Sequence, residues 1–252
     1  MMSDTAISRI VPVVFVLCCG IGWYYASVFH LVSPLLLPPF HQTMADLWNL
    51  IHTGAFWPDL LITLYELLMA FLIAAISGVL IGYFIARNRF TIQVFDPFFS
   101  ALYSVPTILL FPLFVLFFGL GSGSKIAMGA TIAFFPVVLT TIAGLGNVEP
   151  AFVKSARSMG ASNWQMFFQV LLPASLPVVL SGLRMGVILA LLTILGSETL
   201  GSLAGLGHQI VNYSDAMETS KMFAYTLFVL GVATGLNILV SSIERVARRA
   251  VQ

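Results

Sequence analysis

The chain of 252 residues is 59% hydrophobic, only 8% of its residues are charged, and its formal net charge is +1 at pH 7. A soluble domain carries about a quarter charged residues, so this composition excludes an ordinary aqueous fold, and no basic run is dense enough for nucleic acid. Apolar runs of about 18 residues or more indicate membrane-spanning helices. The sequence therefore predicts an all-α, polytopic membrane protein that contacts lipid.

Six membrane spans are predicted, and the basic residues orient them. The spans cover residues 10–29, 60–86, 97–119, 126–146, 175–199 and 222–243. Lysine and arginine gather on the cytoplasmic side of short loops. With both termini cytoplasmic, the inner segments hold Arg9, Arg87, Arg89, Lys154, Arg157, Arg245, Arg248 and Arg249. The outer loops then hold only Lys125 and Lys221, whereas removing the fifth span would move the last three arginines outside.

The prediction divides the chain into two parts. Residues 1–56 form an N-terminal span and an outer loop, and residues 57–252 form a core of five spans. The first span is interpreted as retained, because only Arg9 precedes it and no small-residue cleavage site follows it. The prolines of LVSPLLLPPFHQT, from Leu31, exclude a continuing helix, so this stretch is expected along the outer face. The four histidines are scattered without ligand spacing, and no metal site is expected.

Polar and helix-breaking residues within the spans are the candidates for the solute pathway. Ser197 and Glu198 close the fifth span before a glycine-rich stretch, so they are candidates for its outer half. Breaks in a helix at membrane depth are tolerated where protein or a water-filled cavity surrounds them. On that ground the residues that interrupt the third span are also pathway candidates: Tyr103, Ser104, Pro106 and Thr107.

Two further ionisable residues lie within the predicted spans, where a charge is costly. Glu66, near the outer end of the second span, is expected to extend to the membrane interface. Arg184 lies roughly 15 Å inside the fifth span by helical rise. An ion pair, a cap on backbone carbonyls and contact with solute all remain open for Arg184, which is kept as a pathway candidate.

Glycine pairs four residues apart recur within the spans. They are Gly78 with Gly82, Gly182 with Gly186, and Gly231 with Gly235. Small residues at this spacing let helix backbones approach closely. The pairs therefore predict close general packing of the bundle rather than a dedicated dimer face.

The cytoplasmic segment 147–174 begins with the pattern of a short amphipathic helix. Pro150 suits the first turn of a helix, and Gly160 suits a left-handed cap at its end. Between them, Phe152, Ala156 and Met159 fall on one face at helical spacing. We therefore predict a helix that ends in a sharp bend at Gly160.

A second short helix is predicted directly after the bend. Ser162 and Gln165 form a capping-box pattern, and the helix carries Trp164 and is expected to stop before Pro173. A connector needs only a handful of residues. From the residues alone, a connector lying on the membrane surface and a helix that fills a groove on a partner protein remain equally supported.

The same loop resembles the cytoplasmic signature of permeases of bacterial ABC importers. Ala156 is followed by Gly160, nine residues, and Val170-Leu171-Leu172-Pro173, as in that family. Lys154-Ser155-Ala156 stands where the family has Glu-Ala-Ala, so a base replaces the acidic residue. The resemblance runs from about residue 57 to 247, and TLYELLMAFLIAAISGVLIGYFIARNR and SGLRMGVILALLTILGSE look like the branch that imports sulfonates, taurine, nitrate and similar solutes.

This resemblance implies a type I ABC importer permease in the bacterial inner membrane. Two cytoplasmic ATPase subunits would bind ATP and Mg, a second permease chain, identical by default, would complete the pathway, and an extracytoplasmic binding protein would deliver the solute. Residues 152–160 would be the coupling helix that docks on the ATPase. The docking residues are Phe152, Lys154, Ser155, Ala156, Arg157, Met159, Gly160, Ala161 and Trp164.

The resemblance implies a transport subunit that binds no cofactor and is not itself an enzyme. The nearest approach to a phosphate loop is Val153-Lys154-Ser155, which has valine where glycine is required. The alternatives are a membrane-embedded enzyme and an ATP-independent channel. An enzyme requires a nucleophile and a base on facing spans, and a channel requires a filter or a charged ring. ATP dependence of solute flux separates the channel from the importer.

Overall fold

The computed structural model describes residues 4–249, with side chains for residue 11 and residues 14–247 except Asn163. All regular elements in this part of the chain are helical, as predicted. They are α1 (Asp4–Val28), α2 (Phe40–Thr53), α3 (Trp57–Ala86), α4 (Arg89–Tyr103), α5 (Phe111–Phe118), α6 (Ser122–Gly146), α7 (Pro150–Ser158), α8 (Asn163–Gln165), α9 (Leu172–Leu200), α10 (Leu206–Asp215) and α11 (Thr219–Arg249). A 3₁₀ turn (Thr107–Leu110) precedes α5, and a π-helical segment (Met166–Leu171) joins α8 to α9.

The second to sixth predicted spans correspond to apolar helices of the structure. Four helices within the described residues are long and apolar enough to cross a membrane: Trp57–Ala86, Ser122–Gly146, Met166–Leu200 and Thr219–Ala247. The bent pair Arg89–Tyr103 and Thr107–Phe118 is a possible fifth. The first predicted span falls in α1, where Val14–Val28 is apolar but shorter than these four helices. Six spans and cytoplasmic termini therefore remain predictions.

The third span differs from its prediction at both its start and its middle. The helix begins at Arg89 rather than near residue 97, because the Asn88 side chain accepts a hydrogen bond from the Phe90 N–H and caps the first turn. The two halves meet at 75°. Pro106 lies at the corner with an extended ψ of 94°, so the helix cannot continue through it.

The core is built from three helices, with α6 packed between α3 and α9. The first two predicted glycine pairs make this packing possible. A Cβ atom on Gly82 would lie 3.0 Å from the Val138 backbone oxygen, and one on Gly182 would lie 2.9 Å from that of Pro136. The prediction is wrong for the third pair, on α11, since nothing lies within 4 Å of either glycine in the described chain.

Two outer helices, α2 and α10, were not predicted. The proline-rich stretch from Leu31 is non-helical as expected, but a helix resumes at Phe40. Its inner face joins α3, α10 and α11 in an apolar cluster that contains Leu50, Phe56, Leu60, Leu206 and Tyr225. Both helices are polar enough to resemble loops in composition, and their single apolar face is what places them on the bundle.

The helix that follows the bend at Gly160 does not stop before Pro173, so that prediction is wrong. Instead the chain continues as one helix from Met166 to Leu200. The Leu172 N–H donates to the Phe167 oxygen five residues earlier, in a π-type turn. Pro173 takes one of the first positions of α9, where a missing N–H costs least.

Candidate functional site

The short helix α7 is closed by a glycine cap of the Schellman type. The Gly160 N–H donates to the Arg157 oxygen and the Ala161 N–H to the Ala156 oxygen, each at 3.0 Å. Gly160 has φ of +78°, a left-handed conformation that glycine adopts without steric cost. The predicted helix and its sharp bend are therefore confirmed. The cap fixes the direction in which the chain leaves α7.

The turn after α7 is fixed by the predicted capping box. The Ser162 N–H donates to Gln165 Oε1 at 2.9 Å, and the Gln165 N–H donates to Ser162 Oγ at 3.3 Å. The Phe167 ring then packs against Tyr83 at the end of α3, with centroids 4.4 Å apart. These contacts hold the bend between α7 and the π-helical segment against the end of a core helix.

Three large apolar side chains of this loop project away from the protein. Met159 is 86% exposed, Trp164 is 72% exposed and Phe152 is 56% exposed. Of the other predicted docking residues, Lys154, Ser155, Arg157 and Gly160 are exposed and Ala156 and Ala161 are half-buried. A rigid helix with uncovered apolar side chains has the form of a segment that inserts into a groove on another protein.

The corner of the third span carries four of the predicted pathway residues. Tyr103 stacks on Phe135 of α6 with centroids 5.7 Å apart, and Thr107 is buried. Ser104 and Pro106 are exposed, and Ser104 Oγ donates to the Ala101 oxygen at 2.7 Å. The corner therefore presents polar backbone and side-chain atoms beside the surface of α6.

A cavity of about 540 Å³ opens between α3, α5 and α6. Its walls include Ile73, Phe118 and Phe134, together with Ser77 and Thr131. Ser77 Oγ donates to the Ile73 oxygen at 2.6 Å, and Thr131 Oγ1 donates to the Ala127 oxygen at 2.8 Å. Each hydroxyl thus donates its hydrogen bond to a backbone oxygen of its own helix, and the walls are largely apolar. The sequence analysis did not identify these residues, since each is an ordinary side chain on an apolar helix.

Glu198 has a different environment from the one expected of a pathway residue. It is 1% exposed, accepts a hydrogen bond from Thr63 Oγ1 at 2.6 Å, and accepts another from the Gly207 N–H at 2.7 Å. The Gly205 N–H donates to Asp59 Oδ1 at 3.1 Å, and the Leu206 N–H donates to Thr63 Oγ1 at 3.0 Å. Side chains of α3 and α9 thus satisfy the free N–H groups at the start of α10.

Asp59 and Thr63 belong to this network and were missed by the sequence analysis. The sequence contained a signal for this network, namely the helical spacing of polar residues in the second span. Thr63 follows Asp59 by four residues and Glu66 follows Thr63 by three, so the three side chains share one face of α3. Ser197, beside Glu198, is also fully buried, and its Oγ donates to the Ile194 oxygen at 2.8 Å.

The prediction that Glu66 reaches the membrane interface is wrong. Glu66 is 1% exposed and lies close to Ser122, Lys125 and Glu198. Lys125, predicted in an outer loop, lies in α6 and is also 1% exposed. Its Nζ donates to the Leu120 and Gly121 oxygens at 2.8 Å and 3.0 Å, so it closes the turn that precedes α6. Charge compensation within the bundle is what permits these side chains to be buried.

Arg184, the last predicted pathway residue, makes an ion pair. Its Nη1 lies 3.3 Å from Glu244 Oε2 on α11, and its Nη2 donates to Asn237 Oδ1 at 3.4 Å. The Arg184 side chain is 39% exposed. Of the three roles left open by the sequence, the geometry favours the ion pair, which connects α9 to α11.

The comparisons with known proteins agree with one another. Residues 78–251 match the family described as binding-protein-dependent transport system inner membrane component. The chain is 28% identical over 228 residues to the taurine transport system permease protein TauC of Escherichia coli (strain K12), covering 88% of this chain and 83% of that protein. It is 31% identical over 223 residues to the putative aliphatic sulfonates transport permease protein SsuC of Bacillus subtilis (strain 168), covering 88% and 81%.

The fold is also found among solved structures. A chain of the MetNI methionine ABC transporter in an inward-facing conformation aligns with a TM-score of 0.64 at 19% sequence identity. The alignment covers 81% of this chain and 97% of that one. The two chains therefore share a fold over nearly the whole of the solved chain.

Proposed function

Since the chain belongs to the family of binding-protein-dependent transport system inner membrane components, we propose that it forms the membrane pathway of an ATP-driven importer in the bacterial inner membrane. It is a multi-pass permease subunit with the fold of type I ABC importer permeases. The solute is a sulfonate, taurine, nitrate or a similar small compound, as the names of its relatives suggest. Six spans with both termini in the cytoplasm complete the proposed topology.

The observation that carries the proposal is the form of α7. Its cap at Gly160 fixes a short helix whose apolar side chains, Phe152 and Met159, are uncovered. We propose that this surface docks on a cytoplasmic ATPase subunit, which binds ATP and Mg and supplies the energy. Two such ATPases act on two permease chains. Lys154 takes the place of an acidic residue of the family signature, so this chain lacks the carboxylate that the family has at this position.

The cavity beside the third span supports a proposal in which this chain forms the pathway and another protein recognises the solute. Its hydroxyls, on Ser77 and Thr131, donate to their own helices. A site that recognises a small anion needs convergent polar groups aimed at the ligand. We therefore propose that the cavity and the corner at Ser104 and Pro106 belong to the pathway, and that an extracytoplasmic binding protein selects the solute.

The buried residues at the outer end of α9 have a supporting role in this proposal. Ser197 and Glu198 do not contact solute in the state described by the structure, because both are engaged in internal hydrogen bonds. Glu198 instead holds α10 on the bundle, and Ser197 bonds to its own helix. Arg184 likewise acts through its ion pair with Glu244.

Two variants of Gly160 test the docking role. In Gly160→Arg, no atom of the described residues lies within 4 Å of the new Cβ atom. The loss of uptake that we expect would therefore indicate a clash with a partner. Gly160→Ala is the matched control. It carries the same left-handed strain, roughly 1 kcal/mol, without the bulk. ATP-driven uptake and ATPase co-purification are measured for both in proteoliposomes and in mild detergent.

The outcomes separate the candidate functions. Retention of the ATPase by Gly160→Ala and its loss from Gly160→Arg support docking through α7. Normal uptake by Gly160→Arg would show that the docking surface lies elsewhere. Solute flux without ATP would support the channel, and turnover of solute by the chain alone would support the membrane-embedded enzyme.

A further inference from the structure

A second cavity, of about 480 Å³, lies where α3, α6 and α7 end near one another. We call it the basal cavity, and its walls include four basic residues: Arg87, Arg89, Lys154 and Arg157. Arg87 directly follows α3, Arg89 begins α4, and Lys154 and Arg157 belong to α7. Its volume is within the range of about 300–1,000 Å³ that is usual for small-ligand sites.

The four basic side chains of the basal cavity are not neutralised by the part of the chain that the structure describes. The ion pairs found among the described residues are Arg184 with Glu244 and Lys221 with Glu218, both outside this cavity. Arg87 instead lies over the ring of Tyr83, with its guanidinium carbon 6.0 Å from the centroid. Four exposed cations around one concavity create a positive potential that favours an anion.

The basal cavity combines basic residues with an apolar surface at one end of two candidate spans. Two of its walls are formed by the ends of Trp57–Ala86 and Ser122–Gly146. Its other walls carry the basic residues together with apolar residues that include Ile92, Met166 and Phe167. A lipid site needs basic residues near the end of a span for the headgroup and an adjoining apolar surface for the glycerol and acyl region, and this cavity has both.

We propose that the basal cavity binds the phosphate group of an anionic phospholipid from the adjacent leaflet. Basic pockets between membrane helices on the cytoplasmic side are suited to phospholipid headgroups. The apolar residues of the wall favour a lipid over a free phosphate ion, which would make no apolar contact with them. Because Lys154 and Arg157 belong to α7, the bound lipid rests against the helix that docks on the ATPase. The proposal depends on the proposed function only for the identity of that leaflet.

The test uses the full chain, isolated with any subunits that accompany it and stripped of lipid. Phosphatidylglycerol, phosphatidylcholine and inorganic phosphate are titrated separately, and bound lipid is counted by native mass spectrometry, with phosphate also used as a competitor. Phosphatidylglycerol is expected to bind at least about tenfold more tightly than phosphatidylcholine. Each arginine near the headgroups raises the affinity for an anionic lipid about fivefold, so Arg87→Gln combined with Arg89→Gln should weaken lipid binding about 25-fold.

Two controls separate a binding site from a general effect of charge. Arg245→Gln removes an exposed arginine of α11 outside the basal cavity and should leave binding unchanged. Arg87→Lys combined with Arg89→Lys keeps the charge and should keep most of the affinity, which also shows that the turn tolerates substitution.

Several results would overturn the inference. Equal affinities for the two lipids, or unchanged affinity in the double glutamine variant, would exclude a phosphate-binding cavity for lipid. Binding of inorganic phosphate without binding of phosphatidylglycerol would assign the cavity to a soluble anion. ATPase co-purification is scored on the same samples, so a permease that binds lipid but no ATPase would contradict the proposed function and leave this inference intact.

Discussion

Replacing Glu198 with alanine should destabilise the end of the bundle at which α10 lies. The carboxylate accepts hydrogen bonds from Thr63 Oγ1 at 2.6 Å and from the Gly207 N–H at 2.7 Å, in a site that is 1% exposed. Alanine would leave the Gly207 N–H, in the first turn of α10, without an acceptor. The expected result is loosening of α10 together with the contacts that it makes to α11.

The size of the effect follows from the two hydrogen bonds. A hydrogen bond to a charged group contributes about 1.5–3 kcal/mol, so the pair contributes about 3–6 kcal/mol. Removing the carboxylate also removes the cost of burying a charge, which offsets part of this loss. We therefore expect the free energy of unfolding to fall by about 3 kcal/mol. Glu198→Gln keeps one acceptor oxygen, so it should lower the free energy of unfolding by about half as much.

The assay is reversible unfolding of the purified chain in mixed micelles with increasing SDS. Glu218→Ala is the matched control, because it removes a carboxylate from the same outer region whose partner, Lys221, lies at 2.6 Å in an exposed pair. Exposed pairs contribute little, so this variant should unfold like the parent. If Glu198→Ala were no less stable than Glu218→Ala, the network around α10 would not be a source of stability.

Three further predictions concern packing and the coupling loop. Gly182→Ala should lower the free energy of unfolding by about 1–3 kcal/mol, because the Thr140 side chain and the Pro136 oxygen of α6 occupy the space of the methyl group. Gly231→Ala should not lower it, and SDS unfolding compares the two variants. Arg184→Gln should lower the free energy of unfolding by less than about 1 kcal/mol, because the Arg184 side chain is 39% exposed. A double-mutant cycle with Glu244 measures the coupling energy of the pair. In uptake assays Gly160→Asn should perform at least as well as Gly160→Ala, because asparagine adopts the left-handed conformation more readily; the reverse order would contradict the importance of the cap.

Features that depend on neighbouring residues could be predicted from the sequence. Gly160 and the pair Ser162 and Gln165 form their cap and capping box through atoms three to five residues apart, so the pattern alone was sufficient. The spans were predicted for a similar reason, since hydropathy is summed over consecutive residues. Pro106 marked the corner of the third span because proline acts on its own turn.

Features that depend on distant residues were not predicted. Glu66 and Lys125 each looked like an interfacial charge, and only their meeting in the fold explains why both are buried. Pro173 was expected to end a helix, but the π-type turns before it accommodate its missing N–H group. The neighbours of a side chain across the bundle, and the local winding of a helix, are set by tertiary packing rather than by the nearby sequence.

The unbroken helix from Met166 to Leu200 connects the two ends of the bundle. Its α-helical part, α9, is about 43 Å long, with the π-helical segment at one end and Glu198 near the other. A tilt of about 10° about the π-helical segment would displace the far end by roughly 7 Å. The bond from Glu198 to the Gly207 N–H would transmit that displacement to α10. A movement of α7 by a few ångströms would thereby reach the opposite surface, provided that α6, which packs along α9, moves with it.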